Sequence, residues 1–135
     1  IILIIPINFS KQNVIKLRQL ADNSYIEMSI LFREVGPQNL LSNTFMEENP
    51  PDKVIINNIE QIADENKKYI IDKTNSKIKI TWNTPLENAI KMFFGLTNLI
   101  NVNFTKFDCS SITDANSMFQ DCTSLVFVNF SGFKN

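Results

Sequence analysis

Residues 86–135 carry the feature that most limits what this chain can build: laid over itself with a shift of 26 residues, the segment matches at nine of 24 positions. The identities are Ala89/Ala115, Met92/Met118, Phe93/Phe119, Thr97/Thr123, Leu99/Leu125, Val102/Val128, Asn103/Asn129, Phe104/Phe130 and Phe107/Phe133. Chance supplies roughly one or two identities in such a window, so the match reads as an internal repeat whose units bury their apolar faces by stacking. Within each unit Val102 and Phe104, then Val128 and Phe130, alternate with Asn103 and Asn129. This is strand spacing, with the apolar side chains on one face and the polar ones on the other. Upstream, Leu86, Ala89, Met92 and Phe93, then Ile112, Ala115, Met118 and Phe119, lie three or four apart, the spacing of one face of a short helix. Thr84-Pro85-Leu86-Glu87 offers an N-cap, a Pro at the first helical position and a Glu three residues on, and Ser110 is the equivalent cap. Each unit is therefore predicted as helix, turn, strand, with Leu99, Val102, Phe104, Phe107, Leu125, Val128, Phe130 and Phe133 as structural core.

Leu99, Val102, Phe104 and Phe107 fit the leucine-rich-repeat strand pattern with Phe in its last place. Met118-Phe119-Gln120-Asp121-Cys122-Thr123-Ser124-Leu125-Val126-Phe127-Val128-Asn129-Phe130-Ser131-Gly132-Phe133 resembles the M-F-x-x-C-x-S-L-x-x-L-D-L-S-x-F repeat of BspA-type leucine-rich-repeat surface proteins, a bacterial surface-protein 26-residue repeat family. Ala115 stands where that family has Met, and Gly95-Leu96 stands where the second unit has Asp121-Cys122. The resemblance implies a leucine-rich-repeat solenoid fragment, with a short helix plus a parallel strand per repeat and the sheet on its concave side. It also implies an extracellular or cell-surface protein-binding or adhesion module whose ligand is a protein or host matrix. It brings no catalytic residues.

Ahead of the repeats, Ile1-Ile2-Leu3-Ile4-Ile5-Pro6-Ile7 has the composition of the tail of a secretory signal, and of a buried first strand as well. Residues 1–23 are expected to be a signal-peptide remnant and connector. From Ser24 the period becomes two, with Ile26, Met28, Ile30 and Phe32 alternating until Gly36-Pro37 ends the run. Leu40 to Met46 is a weaker strand candidate. Lys53 to Gln61 reads as a hairpin turning at Asn57-Asn58, and Tyr69-Ile71 with Ile78-Trp82 as a second one around Lys73-Thr74-Asn75-Ser76. Ile78 aligns with Phe104, so the last strand of residues 24–82, a β-rich N-terminal cap, is expected to cover the first edge of the repeat sheet. Residues 83–135 are then two repeats truncated at the C-terminus, with further repeats of the same chain expected beyond them and a bare end prone to association.

Several chemistries are poorly served by this sequence. It has no His, so triads that use it are excluded and the commonest metal ligand is missing. Glu47-Glu48 and Asp64-Glu65, the adjacent carboxylates, sit in polar stretches that would not raise a pKa. Three glycines leave no phosphate-cradling loop. Cys109 and Cys122 suggest neither zinc nor a favoured disulfide. A net charge of -1 gives no electrostatic footprint for nucleic acid, and seven apolar residues cannot span a bilayer. No enzyme, cofactor or metal is expected.

What remains is a surface. Asn101, Asn103 and Thr105 with Phe127, Asn129 and Ser131 are the outward positions of the two strands, and Phe127, as an exposed aromatic, is the best anchor for a protein partner. The alternative is a structural N-terminal cap of a longer array with no binding role. Asn8, Asn103 and Asn129 begin glycosylation sequons, and a glycan at the last two would obstruct this face. With 18 Asn in the chain, chance alone supplies roughly two or three sequons, so they do not reveal the compartment.

Overall fold

The computed structural model describes residues 25–134. The expected signal remnant and connector at 1–23, and the sequon at Asn8, lie outside the described residues. Ten elements follow in order: β1 (Tyr25–Phe32), β2 (Gly36–Gln38), α1 (Asn43–Glu48), β3 (Lys53–Ile56), β4 (Ile59–Gln61), β5 (Tyr69–Ile71), β6 (Asn75–Thr81), β7 (Leu99–Asp108), β8 (Phe127–Asn129) and β9 (Phe133–Lys134). The main sheet runs β4-β3-β6-β1-β7-β8, with β9 also pairing β7, while β2 and β5 form a separate antiparallel pair. Every pairing from β4 to β7 is antiparallel, and β8 and β9 join β7 in parallel.

Alternation on β1 decides the centre of this sheet. Ile26, Met28, Ile30 and Phe32 are all buried. They meet apolar residues on both sides, Met28 lying opposite Ile78 of β6 and Phe104 of β7, and Ile30 opposite Val102. A strand with one such row is fixed in register, since a slip of one residue would turn the whole row to solvent. The second wall of the core comes from Leu40, Leu41, Phe45, Met46, Tyr69, Ile71, Trp82, Met92 and Phe93. Phe45 meets Trp82 edge-on at 6.4 Å, and the Trp82 Nε1–H donates to the Asn49 carbonyl at 3.0 Å.

The architecture corrects the expected fold: the described residues form a mixed β-sheet with one short helix, not a leucine-rich-repeat solenoid of helix and strand. Neither predicted repeat helix forms. Residues 90–95 and 116–121 are turns, because each unit holds two left-handed residues at equivalent places, Lys91 and Gly95 (φ 57° and 72°), then Ser117 and Asp121 (φ 58° and 61°). Such residues interrupt a right-handed helix. The amides of Ala89, Lys91, Phe93 and Gly95 donate instead to the carbonyls of Asp114, Asn116, Met118 and Gln120 in the following unit. Met92, Phe94 and Leu96 close local turns onto residues three earlier. Spacing of three and four marks which side chains point inward in such turns as well as in a helix, so periodicity could not separate the two. Ala89, Met92 and Phe93 are indeed buried.

The 26-residue period reappears as pairing register. Asn101 lies beside Phe127, Val102 beside Val128, Asn103 beside Asn129, and Phe107 beside Phe133.

Three further expectations need correcting. Leu40–Met46 is not a strand; its second half opens α1, started by Ser42, whose Oγ accepts from the Phe45 amide at 3.1 Å, and ended before Pro50-Pro51. The Ser42 amide and hydroxyl also donate to the Met92 and Lys91 carbonyls at 2.8 and 2.6 Å, so the cap residue fastens the helix to the first repeat unit. The second hairpin does not exist either: β5 pairs β2, and β6 pairs β1 and β3. In consequence β1, not β6, covers the edge of β7. The Lys53–Gln61 hairpin is present, with Asn57 and Asn58 both left-handed, as a two-residue turn between twisted strands requires.

The core residues of the two units are unequal. Leu99, Val102, Phe104 and Phe107 are fully buried. Leu125 and Val128 are partly buried, and Phe130, expected inside, is 47% exposed. Phe130 stacks on Phe104 at 5.8 Å and meets Phe119 edge-on at 6.2 Å. The side chain of Phe133 lies outside the described residues.

Candidate binding surface

The face of the main sheet opposite the core is built from the polar positions of β1, β6 and β7. Asn101 and Asn103 alternate with the buried Val102 and Phe104, and parallel pairing sets Phe127 beside Asn101 and Asn129 beside Asn103. These four predicted residues therefore form one block. Phe127 is 55% exposed within it. The antiparallel neighbour β1 extends the block with Leu31 beside Asn101 and Ser29 beside Asn103, a contribution the sequence reading missed because β1 was not placed next to β7. The alternation of Ile26 to Phe32 was the available signal for these outward positions, though not for their partners.

The other two predicted residues play smaller parts. The Thr105 Oγ1–H donates to the Glu27 carbonyl at 2.6 Å, beside a register shift between Glu27 and Met28, so it is engaged in joining β7 to β1. Ser131 lies in the turn after β8, where its amide donates to Asn129 Oδ1 at 2.9 Å. Asn101 Oδ1 is buried and accepts no hydrogen bond among the described residues, an arrangement that costs about 1–3 kcal/mol where no donor reaches it. Across the strand end, Arg33 Nη1 donates to Ser124 Oγ at 3.3 Å and ties β1 to the second unit.

The two thiols are not joined in a disulfide. The Cys122 Sγ–H donates to the Phe93 carbonyl at 3.0 Å, and burial raises its pKa. Among the described residues no three Cys, Asp or Glu side chains lie close enough to hold a metal. A cleft of about 280 Å³ between the β2 region and the first unit is polar, with Glu34, Gln38, Asn39, Lys68 and Asn98 around it. Asn98 and Gln38 are hydrogen-bonded to each other there at 3.2 Å. No family of known proteins, no curated protein and no solved structure matches the chain. Among the described residues no helix is long and apolar enough to cross a membrane.

Proposed function

We propose that this chain is a non-catalytic protein-binding module of the cell surface or extracellular space, and that it engages a protein or host-matrix ligand through the β7–β8 end of its polar sheet face. Phe127 carries the reading. It is a large apolar side chain, 55% exposed, beside Asn101 in register and in one block with Asn103, Asn129 and Leu31. An aromatic anchor beside amides suits recognition of another protein: the ring supplies contact area at low entropic cost, and the amides supply adaptable hydrogen bonds. The surface location and adhesive role rest on the resemblance of the two units to the BspA-type repeat. Further units of the same chain are a second class of partner within this proposal.

The test uses plates coated with purified extracellular-matrix proteins. Wild-type chain should adhere to at least one, and Phe127→Ser and Asn103→Arg should each abolish adhesion while leaving the melting temperature within a few degrees. Equal adhesion by wild type and both variants refutes the reading. A purely structural role, supported by the way Ser42 ties α1 to the first unit, predicts that neither outward substitution has any effect on adhesion.

A further inference from the structure

The opposite edge of the main sheet has its own character. In the hairpin β3–β4, Ile56 pairs with Ile59, Ile55 with Glu60 and Val54 with Gln61 around the two-residue turn. The pair flanking such a turn exchanges both hydrogen bonds and the next pair exchanges none, so the N–H and C=O of Glu60 face the open edge. Beside this edge runs a groove of about 250 Å³ walled by Met46, Pro50, Val54, Ala63 and Tyr69. Ile62, 94% exposed, stands at its rim. Gln61 ends it: its side-chain amide donates to the Ile70 carbonyl and accepts from the Ile70 amide, both at 2.9 Å, so this side chain occupies the outer edge of β5 as a strand would.

The stretch of chain that supplies most of the groove's walls is acidic. Residues 47–68 hold Glu47, Glu48, Asp52, Glu60, Asp64 and Glu65 against Lys53, Lys67 and Lys68, six acids minus three bases, for a net -3 in a chain whose total is -1. Lys53 pairs with Glu60 and Lys67 with Glu47, each at 2.9 Å, which leaves Glu48, Asp52, Asp64 and Glu65 against Lys68 outside these ion pairs. Among the described residues an open strand edge, an apolar slot and an acidic stretch of chain occur together here.

We propose that the β4 edge and its groove bind an extended segment of a partner protein in which apolar side chains alternate with lysine or arginine. The segment's backbone adds to β4 at Glu60, in the manner of strand addition to a sheet edge. An apolar side chain enters the slot against Val54 and Met46, and the neighbouring cations meet Glu48, Asp52 and Glu65. The site is separate from the β7–β8 surface, on the far edge of the same sheet, and stands whether or not that surface binds anything.

A fluorescein-labelled ten-residue peptide alternating Ile and Lys, titrated into the full chain and followed by anisotropy, tests this. An otherwise identical peptide with Glu for Lys is the control. Saturable binding at least about tenfold tighter than the control, weakened by added salt, is expected. Glu48→Lys with Glu65→Lys should weaken it about tenfold at unchanged melting temperature, since both carboxylates are exposed. Exchange of the Glu60 amide should slow when the peptide is bound. Absence of saturable binding, equal affinity for the two peptides, or indifference to the double charge reversal overturns the proposal. So does occupation by something else, seen as a dimer that excludes the peptide in sedimentation or as peptide binding that emerges only once residues 1–24 are removed.

Discussion

Phe104 and Phe130 hold the same place in two copies of one unit, yet they should differ about twofold in their contribution to stability. Phe104 is 1% exposed, edge-on to Phe93 at 6.1 Å and stacked on Phe107 at 5.6 Å and Phe130 at 5.8 Å. Met28 of β1 lies opposite it. A Phe side chain buries about 150–250 Å², which at about 25 cal/mol/Å² amounts to about 4–6 kcal/mol. Truncation of a closed core Phe to Ala costs about 3–5 kcal/mol. Phe104→Ala should therefore cost about 4 kcal/mol. Phe130 is 47% exposed, so its truncation removes about half as much burial and opens a dent that water fills. Phe130→Ala should cost about 2 kcal/mol, and Asn103→Ala under about 1 kcal/mol. Urea unfolding read by the single tryptophan, Trp82, which is 4% exposed when folded, measures all three. With an m-value of about 2 kcal/mol/M the midpoints should fall by about 2 M, 1 M and less than 0.5 M. Equal shifts at Phe104 and Phe130 would refute the claim that cover by β1 makes the first unit the core. Equal shifts at Phe104 and Asn103 would refute the assignment of inward and outward faces.

Ser42→Ala removes the cap on α1 and the hydroxyl donor to Lys91, and should lower stability by about 1–2 kcal/mol in the same melts; a loss under about 0.3 kcal/mol counts against the joint between helix and repeat. Gly132→Ala should also be destabilising, by about 1–3 kcal/mol, because a Cβ there would run into the backbone of Phe104 and Thr105 where the Phe107 amide donates to the Gly132 carbonyl at 3.2 Å; the neighbouring Ser131→Ala serves as the control. Burial raises the pKa of Tyr69 above 10.0, so the folded form holds its phenol proton where the unfolded chain has begun to lose it. The stability this supplies is complete below pH about 10 and is lost as pH rises through the higher folded value. Melting temperatures followed upward from pH 9 should fall less steeply in Tyr69→Phe than in wild type, and parallel curves would reject that cause.

Alternation along the chain made several parts of the fold legible. Ile26, Met28, Ile30 and Phe32 were identifiable as one buried row, Asn57-Asn58 as a hairpin turn, and Val102 and Phe104 as inward neighbours of outward Asn101 and Asn103. The 26-residue shift foretold which residues lie side by side, Asn101 with Phe127 and Asn103 with Asn129, and with them most of the candidate binding surface. These are local properties, because side-chain direction on a strand follows from spacing alone. A Ser before Phe45 and Met46, with Pro50-Pro51 beyond, also marked a helix that the strand reading passed over.

The remaining features depended on non-local pairing. Whether Leu86 to Phe93 coils as a helix or as successive turns was settled by where its amides find acceptors, and those lie 25 residues away, at Asp114, Asn116, Met118 and Gln120. Whether β5 pairs β6 or β2, and whether β6 or β1 flanks β7, depended on matching apolar rows across strands far apart in sequence, as Met28 does between Ile78 and Phe104. The unequal burial of Phe104 and Phe130 has the same origin. Two units with the same spacing of apolar residues are given different environments by what the tertiary structure lays against each of them, and no spacing within a unit carries that information.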